Sequence, residues 1–273
     1  MKFGLIVDSH GTSLKEAVDF FNNENVDFIL FNGDLQGYSK QNNLKESLLE
    51  LAESNSNVYV IPGSHESAFD YNSAMREITK EFEHIKDKGN GINLTQIDDN
   101  TELISYGGCT WSPLKNPYFI NPLLDVSKIS VLMYKNKDKN IILQMHEPPK
   151  NYGDVAEFVI LESGARMPLA SLKDHPQFEI IKQYAKKENV GDENLEMLIE
   201  GKLTDTMPKV VTFGHIHESY KNLSPGQEIP TKREVAPREK VSNLSLNPGP
   251  YMEGRLAIVE LEDDVSYRLE KLF

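Results

Sequence analysis

Five short polar motifs carry the residues best suited to chemistry: Asp8-Ser9-His10, Gly33-Asp34, Gly63-Ser64-His65-Glu66, His146 and Gly214-His215-Ile216-His217. Most of their side chains are carboxylates and imidazoles, donors that suit divalent Mn, Fe, Zn or Ni better than Ca. Each motif closes an apolar, strand-like run, at residues 2–7, 28–31, 58–61, 141–145 and 210–213. The carboxyl ends of parallel strands are where open α/β sheets gather ligands from distant parts of a chain. The pattern predicts a two-metal hydrolytic site. Taken singly, the residues have plainer readings: Asp8 could cap a helix starting near Leu14, Asp34 could be a turn residue, and His146 could be structural. Gly214-His215-Ile216-His217 resists such a reading, because alternate residues of an extended chain project to one side and two such imidazoles can share a metal cluster.

In this order the motifs resemble the calcineurin-like metallophosphoesterase family, whose pattern is D-x-H, G-D, G-N-H-[DE], a lone His and G-H-x-H. The resemblance runs from about Phe3 to Asn247. It implies an α/β fold, with two mixed β-sheets packed as a sandwich and flanked by helices. It also implies two divalent metal ions, Mn foremost, with Fe, Zn or Ni as alternatives. Carried over by position, Asp8, His10 and His217 hold one metal, Asp34 bridges, and His146 and His215 with residue 64 hold the second. His65 then faces the substrate phosphate, to stabilise the phosphoryl group or protonate the leaving oxygen. The implied reaction is hydrolysis of a small phosphate ester by a metal-bridging water. A turn at Asn247-Pro248-Gly249 is similar to the branch that includes small bacterial and archaeal phosphodiesterases, which favours a phosphodiester over a monoester. Asn247 is open to a place near the metals or a purely structural one.

Two departures narrow the reading. Position 64 is normally an Asn whose amide oxygen ligates the second metal, and here it is Ser64, a shorter and weaker donor. Leu35-Gln36-Gly37 follows Gly33-Asp34 where the Ser/Thr protein phosphatase branch has Asp-Arg-Gly, so that branch is not expected. Ser64 also keeps open a reading from another class, a binding scaffold with this fold and weak or no turnover. The retromer subunit with a metallophosphoesterase fold is the precedent by resemblance. Retention of every other expected ligand and of His65 favours the enzyme.

The elements that must position these residues alternate. Apolar spacing predicts helices at 14–22, 42–53 and 67–86 between the first strands, giving right-handed parallel crossovers. Short strands are expected at 94–97, 101–106 and 109–111, with Trp111 in the core or lining the cleft. Residues 152–164, 170–189 and 193–203 read as helical, an insertion at about 150–205 that could wall the site or be a packing elaboration. Arg166, in this insertion, is a candidate phosphate contact by its guanidinium fork, or else a surface ion pair. Residues 222–240 read as a mobile loop, 241–246 as a strand, and 255–261 with 265–271 as a closing hairpin around Glu262-Asp263-Asp264. His84 and His175 are expected on the surface.

Composition agrees with one globular domain over 1–273. The chain is 39% hydrophobic and 26% charged. A net charge of -13 disfavours extended nucleic acid. A small anionic phosphorylated substrate is compatible with it, because bound cations would dominate the local field. No apolar stretch of membrane-spanning length is present, and Met1-Lys2-Phe3 enters a strand directly, so a cytoplasmic, membrane-free location is expected. Cys109 is the only cysteine, which precludes an internal disulfide and reads as a packed strand-end residue. The run Lys135, Lys137, Lys139 reads as a polar turn, and oligomeric state leaves no mark in the sequence.

Overall fold

A computed structural model describes residues 1–37, 44–109, 122–152, 154–161, 163–164, 166–172, 175–217 and 242–273. In the first sheet β1 (Lys2–Ile6), β2 (Phe28–Asn32), β3 (Asn57–Ile61) and β4 (Ile85–Asp87) pair in parallel. Helices α1 (Lys15–Glu24), α2 (Leu44–Leu51) and α3 (Ala68–Glu81) make the crossovers between them. The hairpin β13 (Arg255–Leu261) and β14 (Val265–Lys271) adds to the free edge of β1, antiparallel. The second sheet runs β12 (Leu244–Leu246), β11 (Val210–Thr212), β7 (Asn140–Met145), β6 (Thr101–Tyr106), β5 (Ile92–Asp98), parallel except for β5.

Side-chain alternation explains why these strands layer. Along β1 and just past it, Phe3, Leu5 and Val7 point between the sheets, where they meet Leu103, Ile142, Val210 and Leu244. Ile6 points the other way, with Phe31, Val58 and Val60, onto Ala17, Phe21, Leu48 and Met75 of the first three helices. The outer face of the second sheet is covered in the same manner by α4 (Pro122–Lys135) and α6 (Glu193–Ile199), through Ile129, Met133, Leu195 and Leu198. Two mixed sheets therefore form a sandwich flanked by helices. Among the described residues no helix is long and apolar enough to cross a membrane.

Polar side chains interrupt this apolar interior at one level. Gln144 Nε2 lies 3.0 Å from the Tyr59 carbonyl, 3.1 Å from Asn32 Oδ1 and 3.2 Å from the Phe31 carbonyl. Its Oε1 accepts from Ser105 Oγ at 2.8 Å, and Asn32 Nδ2 donates to Thr212 Oγ1 at 3.0 Å. These side chains are all buried, and they cross-link β2 and β3 to β6, β7 and β11 directly below the motif-bearing turns.

Some expectations need correction. The insertion is not chiefly helical: β8 (Val155–Ile160) pairs antiparallel with β9 (Arg166–Pro168) and with β10 (Lys186–Asn189). Among the described residues there, only α5 (Phe178–Lys182), a 3-10 turn at Leu169–Leu172 and α6 are helical. Val155, Phe158, Val159 and Ile160 are strand formers, and β10 is polar throughout. Non-local pairing therefore decides these segments, where periodicity carries no signal. The third helix stops at Glu81 because residues 85–87 join the first sheet as β4. Helix α4 was not foreseen. His84 is half-buried rather than free on the surface, with Nε2 3.1 Å from the Ala52 carbonyl, whereas His175 is exposed. Trp111 and the loop expected at 222–240 lie outside the described residues.

Replacing Gln144 with Leu should lower stability by about 2–4 kcal/mol, because several buried groups lose a partner at about 1–3 kcal/mol each. Urea unfolding of the two proteins measures the difference, and an unchanged midpoint would show that the polar link between the sheets contributes nothing.

Candidate metal centre

Every motif lies in the turn that leaves a strand, and those turns are unusually tight. Asp8, His10, Asp34 and His215 all adopt left-handed backbone angles, with φ of 51°, 46°, 56° and 68°. That conformation is unfavourable by about 1–2 kcal/mol for residues with a Cβ, and it clusters where the surrounding structure holds it for function. Here the restraint is a set of backbone hydrogen bonds between motifs. Asp8 N–H donates to the Gly33 carbonyl at 3.1 Å, His10 N–H to Asp34 at 2.9 Å and Gly214 N–H to His146 at 3.1 Å. Gly63 completes the packing: a Cβ there would stand 2.3 Å from Asp34 Oδ1, so no other residue fits without moving the carboxylate.

The side chains converge in two groups that share Asp34. In one, donor atoms of Asp8, His10, Asp34 and His217 all lie within 4.8 Å of one another, and in the other those of Asp34, His146 and His215 do. His10 Nε2 and His217 Nε2 are 3.0 Å apart, and His146 Nε2 and His215 Nδ1 are 3.2 Å apart. Ligands held about 2.1 Å from a common ion sit roughly 3 Å from each other, so this spacing fits a shared ion as well as a hydrogen bond. Asp34 Oδ2 stands between the groups, 3.4 Å from His146 Nε2 and 3.9 Å from His10 Nε2. Its Oδ1 is held from behind by the backbone N–H groups of Ser64 at 2.6 Å and His65 at 2.9 Å. His146 Nδ1 lies 2.7 Å from the Asn32 carbonyl, a contact that fixes the ring and leaves Nε2 directed at Asp34.

Burial and mutual interaction shift the titration of these groups in the metal-free protein. Burial pushes Asp8 up to about 8, with Asp34 adding to the rise against the pull of His146. Burial also opposes the charge on Asp34, but His146, His10 and His65 outweigh it and hold that carboxyl well below its usual range. His146 is driven down by burial and up, to about 10, by Asp34 and Asp8. Burial lowers His10 to about 4 and His215 and His217 to about 3, which keeps those three imidazoles neutral near pH 7. Neutral imidazoles beside a carboxylate are the state that binds a metal ion.

Other sequence-predicted residues fall around this centre in different ways. Ser64 Oγ is 3.1 Å from Asp34 Oδ2 and 3.2 Å from Oδ1, so it touches the shared carboxylate. His65 is exposed, and its ring packs edge-on against His10 with centroids 4.7 Å apart. Arg166 is not brought to the centre: it pairs with Glu188 at 2.8 Å and lies over the Phe158 ring, on the insertion sheet. This is the surface ion pair that the sequence offers as the alternative to a phosphate contact. Asn247 is buried, caps its own turn through Gly249 N–H at 3.0 Å and reaches the Ile216 carbonyl at 3.4 Å.

Glu66 closes the third motif, and the sequence alone assigns it no role. It is buried and accepts from the backbone N–H groups of Gly63 at 2.6 Å, Gln36 at 3.1 Å and Asp34 at 3.3 Å, tying the second motif to the third. The ladder of Asn32, Gln144 and Thr212 was missed as well. Its signal was available as a polar residue one or two positions ahead of a motif within an apolar run.

The sequence pattern of the calcineurin-like phosphoesterase family matches residues 1–219. The chain belongs to that family. Two solved structures share the fold of this phosphoesterase. A dimetal phosphatase from Danio rerio is 10% identical with a TM-score of 0.59, covering 100% of this chain and 96% of that one. A protein from Thermus thermophilus is 11% identical with a TM-score of 0.58, covering 94% and 93%. At these identities the likeness is one of fold. No curated protein matches the chain by sequence.

The pKa values give a pH dependence for metal-free protein. Between about 6.5 and 4 the unfolded chain protonates the imidazoles of His10, His215 and His217 while the folded protein does not, so the unfolded state binds more protons and stability falls as pH falls. Asp8 and Glu66, both raised by burial, act oppositely over this range, and Asp154 does so toward its acid end, which leaves only a partial net effect of the three imidazoles. Urea midpoints in chelator should decline from pH 6.5 to 4.5, on the order of 1 kcal/mol per pH unit. A flat or rising profile would contradict the burial of neutral imidazoles.

Proposed function

We propose that this phosphoesterase hydrolyses a small phosphate ester, a phosphodiester in preference to a monoester, using two divalent ions, with Mn foremost and Fe, Zn or Ni as alternatives. The observation that carries the reading is the pair of donor groups meeting at Asp34. The donor set fits: imidazole nitrogens and carboxylate oxygens at ligand spacing, mostly neutral where they must be, suit borderline divalent ions. Asp8, His10 and His217 would hold one ion and His146 and His215 the other, with Asp34 common to both. Divalent ions held there supply Lewis-acid polarisation of a phosphoryl group and acidify water. The Danio rerio protein that shares the fold is described as a dimetal phosphatase, which supports the same arrangement here.

The chain's own residues have distinct tasks. Asp34 is oriented by the Ser64 and His65 amides, so its second oxygen faces both donor groups without a search of rotamers. Exposed His65 is placed to meet a substrate entering from solvent, where it hydrogen-bonds the phosphoryl oxygens or gives a proton to the leaving oxygen. Ser64, on Asp34, stands where the family places a longer amide ligand, so the second ion is held more loosely. Preference for a diester rests on the similarity of the Asn247-Pro248-Gly249 turn to the phosphodiesterase branch. Small size follows from the net charge of -13, which repels a long polyanion.

Metal content and turnover of a generic phosphodiester and a generic monoester, with several divalent ions, test the proposal against a scaffold without turnover. Asp34→Asn should lower bound metal and activity together; two retained metals with full turnover would refute the shared position. His65→Ala should keep the metal content and lower kcat by about 10²–10⁴. Loss of metal from His65→Ala would instead make it a ligand.

Ser64→Asn should tighten the second ion and raise turnover at low metal, and Ser64→Ala should weaken it. Titration without substrate reads the affinity. If neither variant changes it, Ser64 has no part in holding the second ion.

A further inference from the structure

A second set of donors lies against the dinuclear pocket. Cys109 Sγ, a Glu147 carboxylate oxygen and a His215 ring nitrogen are all within 4.8 Å of one another. Topology explains the convergence. Cys109 follows β6, Glu147 follows β7 and His215 follows β11, and these are consecutive strands of the second sheet. The Cys109 turn is held beneath the third motif by Gly108 N–H, which donates to the Pro62 carbonyl at 2.8 Å. A Cβ on Gly107 would meet the Pro62 ring at 2.6 Å, so a larger residue there would push this turn away from the pocket. Cys109 and Glu147 are both buried.

Thiol, carboxylate and imidazole from three neighbouring strand ends form a donor set of different chemistry from the dinuclear groups, which contain no sulfur. Thiolate favours Zn²⁺ and other soft or borderline ions over Mn²⁺. Ligands at 2.0–2.3 Å from one ion require the outer separations to contract by roughly 1 Å, within reach of side-chain rotation. We propose that Cys109, Glu147 and His215 form a third cation position, selective for zinc-like ions, that competes with the second dinuclear ion for His215. The competition rests on the dinuclear reading of His215, whereas the position itself does not. On binding, the thiol gives its proton to solvent and coordinate bonds form; no electron is transferred. Excess zinc would then inhibit where manganese does not.

Because Cys109 is the sole cysteine, a thiolate-to-metal charge-transfer band can come from nowhere else. Full-length protein loaded with Mn²⁺ is titrated with Co²⁺ or Cd²⁺, and ultraviolet absorption is followed alongside bound Mn²⁺. The band should saturate near one equivalent in the wild type and vanish in Cys109→Ser. Glu147→Gln should need at least tenfold more ion to develop it, and inhibition by excess zinc should weaken at least tenfold in Cys109→Ser. Absence of the band in folded wild-type protein overturns the position, and that measurement decides even if a variant fails to fold. Zinc inhibition unchanged in Cys109→Ser overturns the competition. A band in protein that binds no Mn²⁺ upholds the third position and counts against the dinuclear reading instead.

Discussion

The carboxylate of Asp34 is the constraint around which the rest is arranged. One oxygen is fixed by two backbone N–H groups of the third motif, and the other stands between imidazoles delivered by different sheets. For that to occur, β2 and β3 must end at the same level as β7 and β11 across the sandwich. The ladder through Asn32, Gln144 and Thr212 sets that level from below. Glu66 sets it from the side by gathering the amides of Asp34, Gln36 and Gly63. A slip of one residue in any of these strands would turn its motif away from the others.

Gathering buried carboxylates and imidazoles in one place is costly, because burial and mutual repulsion oppose their charged forms. Asp8 is driven toward its neutral form, while His146 is driven toward its charged one by Asp34 and Asp8. The left-handed turns add backbone strain at the same residues. Folding energy from the three apolar layers supports this strained rim, and the cations proposed for it would relieve the charge repulsion there. Fixing these side chains from behind limits how far they must move to act, which is the general condition for electrostatic catalysis with little reorganisation.

How much of this was readable in the sequence depends on where the deciding interaction lies. Asp8, His10, Asp34, His146, His215 and His217 stood out because each ends an apolar run, and a strand end is a local feature. The hairpin of β13 and β14 was legible to its bounds, since alternation and the acidic turn are local as well. The insertion was misread because β8 and β10 are stabilised by each other, and neither carries an alternating face. Arg166 offered a phosphate contact or a surface ion pair by residue type alone, and its partner Glu188, 22 residues away, is visible only in the fold. Ser64 was recognised as a departure, but its contact with Asp34 could only come from the folded arrangement. Cys109 reads as a packed strand-end residue and Glu147 carries no signal of its own, and only the order of β6, β7 and β11 puts them together.

The central claim is that two donor groups from two sheets hold a pair of ions with Asp34 between them. Anomalous diffraction from crystals grown with manganese tests it most directly. Two peaks are predicted, one among Asp8, His10 and His217 and one beside His146 and His215, with Asp34 contacting both. A single peak that leaves Asp34 uncontacted, or ordered manganese only elsewhere on the protein, would contradict the account.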